Sequence, residues 1–105
     1  MPPSFVDVDF GPFKMFIGHK AVLKCNPEAA PKPSRSQKTW ARNGKVIAYD
    51  GKKYMQNIYG DLVIYDVDKD DAANYTCSVE TTAGRTQATA SAIISPGKTG
   101  EPVRV

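Results

Sequence analysis

Apolar and polar positions alternate with a period of two along most of this chain, and Gly, Pro, Asn and Asp interrupt them about every eight to twelve residues. That rhythm predicts an all-β sandwich of short strands. Ala21, Leu23 and Cys25 alternate with Val22 and Lys24, which gives a strand with one inward face. Lys38-Thr39-Trp40-Ala41-Arg42 reads as the next strand and closes at Asn43-Gly44, a dipeptide suited to a tight turn with positive φ. Val46 and Ile47 begin the return. Leu62, Ile64 and Val67 mark a strand over Asp61 to Val67, and the acidic corner Asp68 to Asp71 follows. Two longer strands, Ala73 to Glu80 and Arg85 to Ser95, are joined by a turn at Thr82-Ala83-Gly84. The opening segment, Pro3 to Ile17, is interrupted at Gly11-Pro12, so it reads as a strand, a kink and a second strand. Pro96 to Val105 is rich in Gly, Pro and charge and reads as a linker or tail, leaving residues 3–95 as the domain.

A chain of 105 residues suits one hydrophobic core, with help from a covalent staple. Cys25 and Cys77 are its only cysteines; its one tryptophan, Trp40, lies between them, and Tyr75 stands two residues before the second. This frame fits a disulfide pinned across two packed sheets with an indole against it. Two buried thiols in a reducing compartment are the alternative. A bridge between cysteines 52 positions apart would stabilise the fold by roughly 4 kcal/mol in the chain-entropy picture. One histidine, His19, and no Cys-x-x-Cys pair leave no structural zinc site. Met1-Pro2-Pro3-Ser4 lacks the basic start and apolar run of a secretion signal, so a secreted parent would contribute this stretch as an excised piece with Met1 added. No apolar run approaches the roughly 20 residues of a membrane span, so direct membrane insertion is not expected.

The net charge of +3 hides an asymmetry, because Phe10 to Lys53 carries +8 and the remainder −5. Lys32, Arg35, Lys38 and Arg42 are the expected members of a basic face that would attract acidic proteins or heparan sulfate. A plain solvated face is the alternative. Nucleic acid is not expected, since no aromatic-rich stacking platform accompanies the charge.

Three chemical patterns fall short. Ala92 to Thr99 satisfies a permissive phosphate-loop pattern, but Gly100 and Pro102 follow where a helix must open. Asp66, Asp68 and Asp70 start like a calcium loop, yet Asp71 replaces the required glycine and Cys77 the closing glutamate. His19 has no Gly-x-Ser-x-Gly elbow to serve. Catalysis and cofactors are therefore not expected.

Cys25, Trp40, the run Asp71-Ala-Ala-Asn-Tyr75-Thr-Cys77 and the Gly84 turn resemble an immunoglobulin domain over about Pro3 to Ser95. The short connection after Arg42, the split opening and Asp-x-x-x-Tyr-x-Cys resemble the I-set type. The resemblance implies a core residue at Leu62, a Tyr75 hydroxyl bonded to backbone near Asp71, and an ion pair between Asp71 and Lys53. Cys25-Asn-Pro-Glu-Ala-Ala-Pro-Lys-Pro33, Pro2-Pro3-Ser4-Phe5 and Gly60-Asp61-Leu62 are similar to adhesion receptors of the contactin and neurofascin kind, with Ser34 to Lys38 longer than usual. Such a resemblance implies a non-catalytic extracellular module of a cell-surface receptor that binds proteins, homophilically or heterophilically, and spaces its neighbours. An intracellular spacer of a titin-like muscle protein and a glycosaminoglycan-binding module are the alternatives. Asn74-Tyr75-Thr76 is an N-glycosylation acceptor that also falls out of the strand motif itself. Two contact surfaces are expected: the basic stretch around Lys32 to Lys38, and a sheet face with Arg42, Ser78, Glu80, Thr86 and Ala88 outward. The strand from Arg85 to Ser95 is a possible edge for pairing with another copy.

Overall fold

The computed structural model describes residues 2–6, 8 and 10–96. Among these described residues are eight strands: β1 Phe13–Phe16, β2 Ala21–Leu23, β3 Lys38–Arg42, β4 Lys45–Val46, β5 Tyr54–Gln56, β6 Leu62–Ile64, β7 Asn74–Thr81 and β8 Gly84–Ser95. They form a five-stranded sheet in the order β1-β8-β7-β3-β4 and a three-stranded sheet in the order β2-β6-β5. Short 3-10 turns occupy Arg35–Gln37, inside the long loop after Cys25, and Lys69–Asp71, at the acidic corner. The linker expectation lies, beyond Pro96, outside the described residues.

Register explains which side chains face inward. Residues directly opposed in an antiparallel pair share a face. Lys38, Trp40 and Arg42 of β3 oppose Val79, Cys77 and Tyr75 of β7, so one face of β3 carries all three inward. The turn that opposes Thr81 to Gly84 places Thr86, Ala88 and Ala90 of β8 opposite Val79, Cys77 and Tyr75. Thr86 and Ala88 therefore face the core side, which corrects the outward placement expected of them and of Arg42. Ser78 and Glu80 do face outward, opposite Gln87 and Arg85.

Cys25 and Cys77 are bonded across the two sheets, their Cα atoms 6.4 Å apart. Trp40, Leu23, Leu62, Ile64, Tyr75 and Val79 are buried around them. The opening segment completes this core. Phe10 stacks on the Trp40 indole at 6.1 Å between centroids, and Phe13 meets it edge-on at 6.1 Å. Phe5 in turn packs edge-on against Phe10. The opening is split at the kink, but among the described residues only its second half is a strand: before the kink Ser4 makes a single isolated bridge to Glu28, while after it β1 pairs in parallel with β8 at Ala92 to Ser95. The last four residues of β8 are thus covered by β1 rather than being a free edge.

Two ladders are shorter than the periodicity suggests. The strand containing Cys25 stops pairing at Leu23, and the Cys25 N–H donates to the Asp61 carboxylate at 3.1 Å instead. In β6 the alternation fails because Val63 is buried as well as Leu62 and Ile64. It lies between Val22 of β2 and Met55 of β5 on the outer face, and these neighbours shield it.

At the Asn43-Gly44 turn, φ is 49° and 83°, the left-handed pair that a two-residue hairpin requires. Asn43 also ties this corner to β7, since its N–H donates to the Asn74 carbonyl at 2.7 Å and its side-chain oxygen accepts from the Asn74 N–H at 2.9 Å.

Candidate functional site

One end of the sandwich brings the loop Asn26 to Gln37 beside the turn between β5 and β6. Asn57 builds that turn: its side-chain oxygen accepts from the N–H groups of Tyr59 and Asp61, each at 2.9 Å, and its carbonyl accepts from the Gly60 N–H at 3.0 Å. Gly60 sits at φ +88°, and a Cβ there would meet Lys38 Cδ at 2.5 Å and Arg35 Cα at 3.2 Å. Both the conformation and the space call for glycine.

The turn is pinned to the core from below. Trp40 Nε1 donates to the Gly60 carbonyl at 2.9 Å, and Lys38 Nζ donates to the Tyr59 carbonyl at 2.8 Å. Gln56 Nε2 reaches the carbonyls of Arg35 and Lys38, both at 3.0 Å, and so joins the turn to the 3-10 segment. Asp61 accepts from the Cys25 N–H and from Asn57 Nδ2, which links the network to the disulfide. Lys38 and Asp61 are both buried. Burial lowers the Lys38 pKa from its ordinary value; the Asp61 charge opposes that shift and the nearby Lys32 charge adds to it.

Above this network Ile58 is 71% exposed and Tyr59 65%. A cleft of about 360 Å³ runs between them and the loop, lined by Asn26, Pro27, Lys32, Pro33, Ser34, Arg35, Lys38, Ile58 and Tyr59. A second cleft, of about 520 Å³, opens on the other side of Ile58 against Arg35, Tyr49, Gly51, Met55, Gln56 and Asn57. Among the described residues that line the two, none is Asp or Glu.

The four basic residues expected together fall in three places. Lys32 and Arg35 are exposed on the loop; Lys38 is buried beneath the turn. Arg42 lies four residues further along β3, about 13 Å away at the usual rise of a strand. Its guanidinium donates through Nη2 to the Asp70 carbonyl at the opposite end of the sandwich. Trp40 explains the split, since residues two positions either side of an inward tryptophan also turn inward.

That opposite end is a structural corner. Lys53 Nζ meets the Asp71 carboxylate at 2.8 Å, and the same carboxylate oxygen accepts from the Asp68 N–H at 2.8 Å. The Tyr75 hydroxyl donates to the Asp71 carbonyl at 2.6 Å. Burial first, and then the neighbouring Tyr54, pushes the Tyr75 phenol up to about 12. Asn74 is exposed at the start of β7, and Thr76 Oγ1 lies 2.7 Å from Thr89 Oγ1. Among the described residues no group of three or more His, Cys, Asp or Glu could hold a metal ion.

Periodicity gave no signal for Ile58 and Tyr59. Their presentation depends on bonds from Lys38 and Trp40, about 20 residues away in sequence, and only the neighbouring Gly60 hinted at a turn.

Comparison with known proteins agrees with this architecture. The model of the immunoglobulin I-set domain matches residues 3–94. Contactin-1 of Gallus gallus is 30% identical over 92 residues, covering 84% of this chain and 8% of its own length. Neural cell adhesion molecule 1 of Homo sapiens is 36% identical over 76 residues, covering 70% of this chain and 8% of its own. A solved titin fragment superposes with a TM-score of 0.65 at 31% identity, over 80% of this chain and 44% of the fragment. The chain thus spans about 8% of the length of these curated relatives.

Proposed function

The chain belongs to the immunoglobulin I-set family, and from that premise we propose that it is an extracellular module of a cell-surface adhesion or recognition protein. It binds other proteins and spaces the domains beside it, without catalysis. The Cys25–Cys77 disulfide carries the reading, because such bonds form and persist in oxidising compartments. Similarity to contactin-1 and to neural cell adhesion molecule 1 points the same way. A glycan on Asn74 belongs to the proposal: the acceptor triplet Asn74-Tyr75-Thr76 starts with an exposed side chain.

The likeness to titin favours a second reading, an intracellular spacer and filament-binding module. A glycosaminoglycan role has less support, because Lys32 and Arg35 are the exposed members of the basic group while Lys38 is buried. Expression through a secretory route, followed by intact mass before and after glycosidase and thiol alkylation, separates the compartments. A removable glycan and no free thiol supports the extracellular module. Two free thiols and no glycan supports the spacer.

A further inference from the structure

Single exposed apolar residues are ordinary on a protein surface, but a contiguous group of them marks a contact site. Such a group surrounds the tip of the β5–β6 turn. Tyr49, Met55 and Ile58 line one cleft, Ile58 and Tyr59 line the next, and Arg35 lines both. All four apolar side chains are exposed. Tyrosine, methionine and arginine are enriched at the centres of protein interfaces, where lysine and carboxylates are sparse. The cleft holding Tyr49 and Met55 has neither among its described lining residues.

The frame beneath is already organised. Lys38 and Trp40 fix the carbonyls of the turn, Gln56 at its base donates to the carbonyls of Arg35 and Lys38, and Asn57 fixes the N–H groups of the turn. Little further ordering of the backbone is needed on contact, which favours affinity. The side chains lining the two clefts carry positive charge only, with Lys32 and Arg35 at the rim. Of the nearby carboxylates, Glu28 lies in an adjoining recess on the far side of Lys32, and Asp50 accepts from the N–H groups of Lys52, Lys53 and Tyr54.

Resting on the protein-binding reading above, we infer that Ile58 and Tyr59, with Tyr49, Met55, Arg35 and Lys32 around them, form a docking surface for an acidic segment of a partner protein. The partner presents an apolar side chain to Ile58 and Tyr59, and carboxylates to Arg35 and Lys32. A sulfated glycan would satisfy the two cations yet offer little apolar surface to cover the tip, so protein is the occupant.

The test is to pan a random dodecapeptide library displayed on phage against the intact chain. The expected result is enrichment of sequences carrying Asp or Glu beside an apolar residue. Peptides made from them should bind I58S/Y59S at least about tenfold more weakly, and K32E/R35E likewise, while both variants keep the parental melting temperature. Enrichment of basic or uncharged sequences, no enrichment, or binding indifferent to I58S/Y59S overturns the inference. A heparin octasaccharide serves as the second probe. Retention lost in K32E/R35E but unchanged in I58S/Y59S would assign this end to a glycan and equally overturn it. Failure of the secretion experiment would move the module inside the cell without touching this result, so the two can fail separately.

Discussion

The Tyr75 hydroxyl donates to the carbonyl oxygen of Asp71 at 2.6 Å, closing a corner between the 3-10 turn Lys69–Asp71 and β7. Replacing Tyr75 with Phe leaves that carbonyl without its partner and should cost about 1–3 kcal/mol in urea denaturation. The phenol, raised by burial to about 12 from an ordinary 10, also gives this corner an alkaline signature. The folded chain holds the proton more tightly than the unfolded one, so the contribution is complete below about pH 10 and is lost as pH rises from 10 towards 12. Denaturation at pH 8 and at pH 11 should show a steeper loss for the parent chain than for Tyr75→Phe. Equal losses would deny Tyr75 this role.

Lys53 and the buried Asp71 form an ion pair whose lysine end is one-third open to solvent. Removing only the lysine strands a buried carboxylate. Lys53→Met should therefore cost about 2 kcal/mol, while the double change Lys53→Met with Asp71→Asn should cost less than Lys53→Met alone. Chemical denaturation of the three proteins decides it; strictly additive losses would contradict the coupling.

The bridge between Cys25 and Cys77 closes a separation of 52 residues. Cys77→Ala should lower stability by about 4 kcal/mol under oxidising conditions. Under reducing conditions the parent chain should fall to nearly the stability of the variant. A parent chain indifferent to reductant would mean that the cross-link does not support the fold.

Lys38 and Arg35 lie three positions apart but belong to different environments, one buried beneath the turn and the other exposed. Arg35→Ala and Lys32→Ala should each change stability by less than about 0.5 kcal/mol. Lys38→Ala should cost about 2 kcal/mol, because the Tyr59 carbonyl loses its donor and the packed stem is removed. Thermal melts of the three variants are the check, and a harmless Lys38→Ala would show that the tip is not held from below.

Much of the fold was legible in the sequence because alternation of side chains in a strand is a local property. Trp40 with Cys25 and Cys77 marked the core, and the Asn43-Gly44 turn fell where the pattern breaks. The same alternation shows that Lys38 and Arg42 share the inward face of Trp40, so their separation from Lys32 and Arg35 was available to a reading by parity rather than by charge count. Thr86 and Ala88 were different. Their direction follows from the register that the Thr81 to Gly84 turn imposes against β7, and a strand pattern without its partner does not fix register. Phe5, Phe10 and Phe13 obey no single period, because the Gly11-Pro12 kink rather than a regular strand brings Phe10 and Phe13 onto Trp40, with Phe5 packed behind Phe10. The exposed pair at Ile58 and Tyr59 depends on side chains distant in sequence, which a local pattern does not carry.

Compartment divides the adhesion-module reading from its nearest alternative, and surface labelling tests it most directly. An antibody raised against the folded domain should be applied to living, unpermeabilised cells that express the protein from which this chain comes. Labelling of intact cells at the level seen after permeabilisation is the result expected of an extracellular I-set module. Labelling that appears only once the membrane is opened would contradict it and place the domain among intracellular spacers.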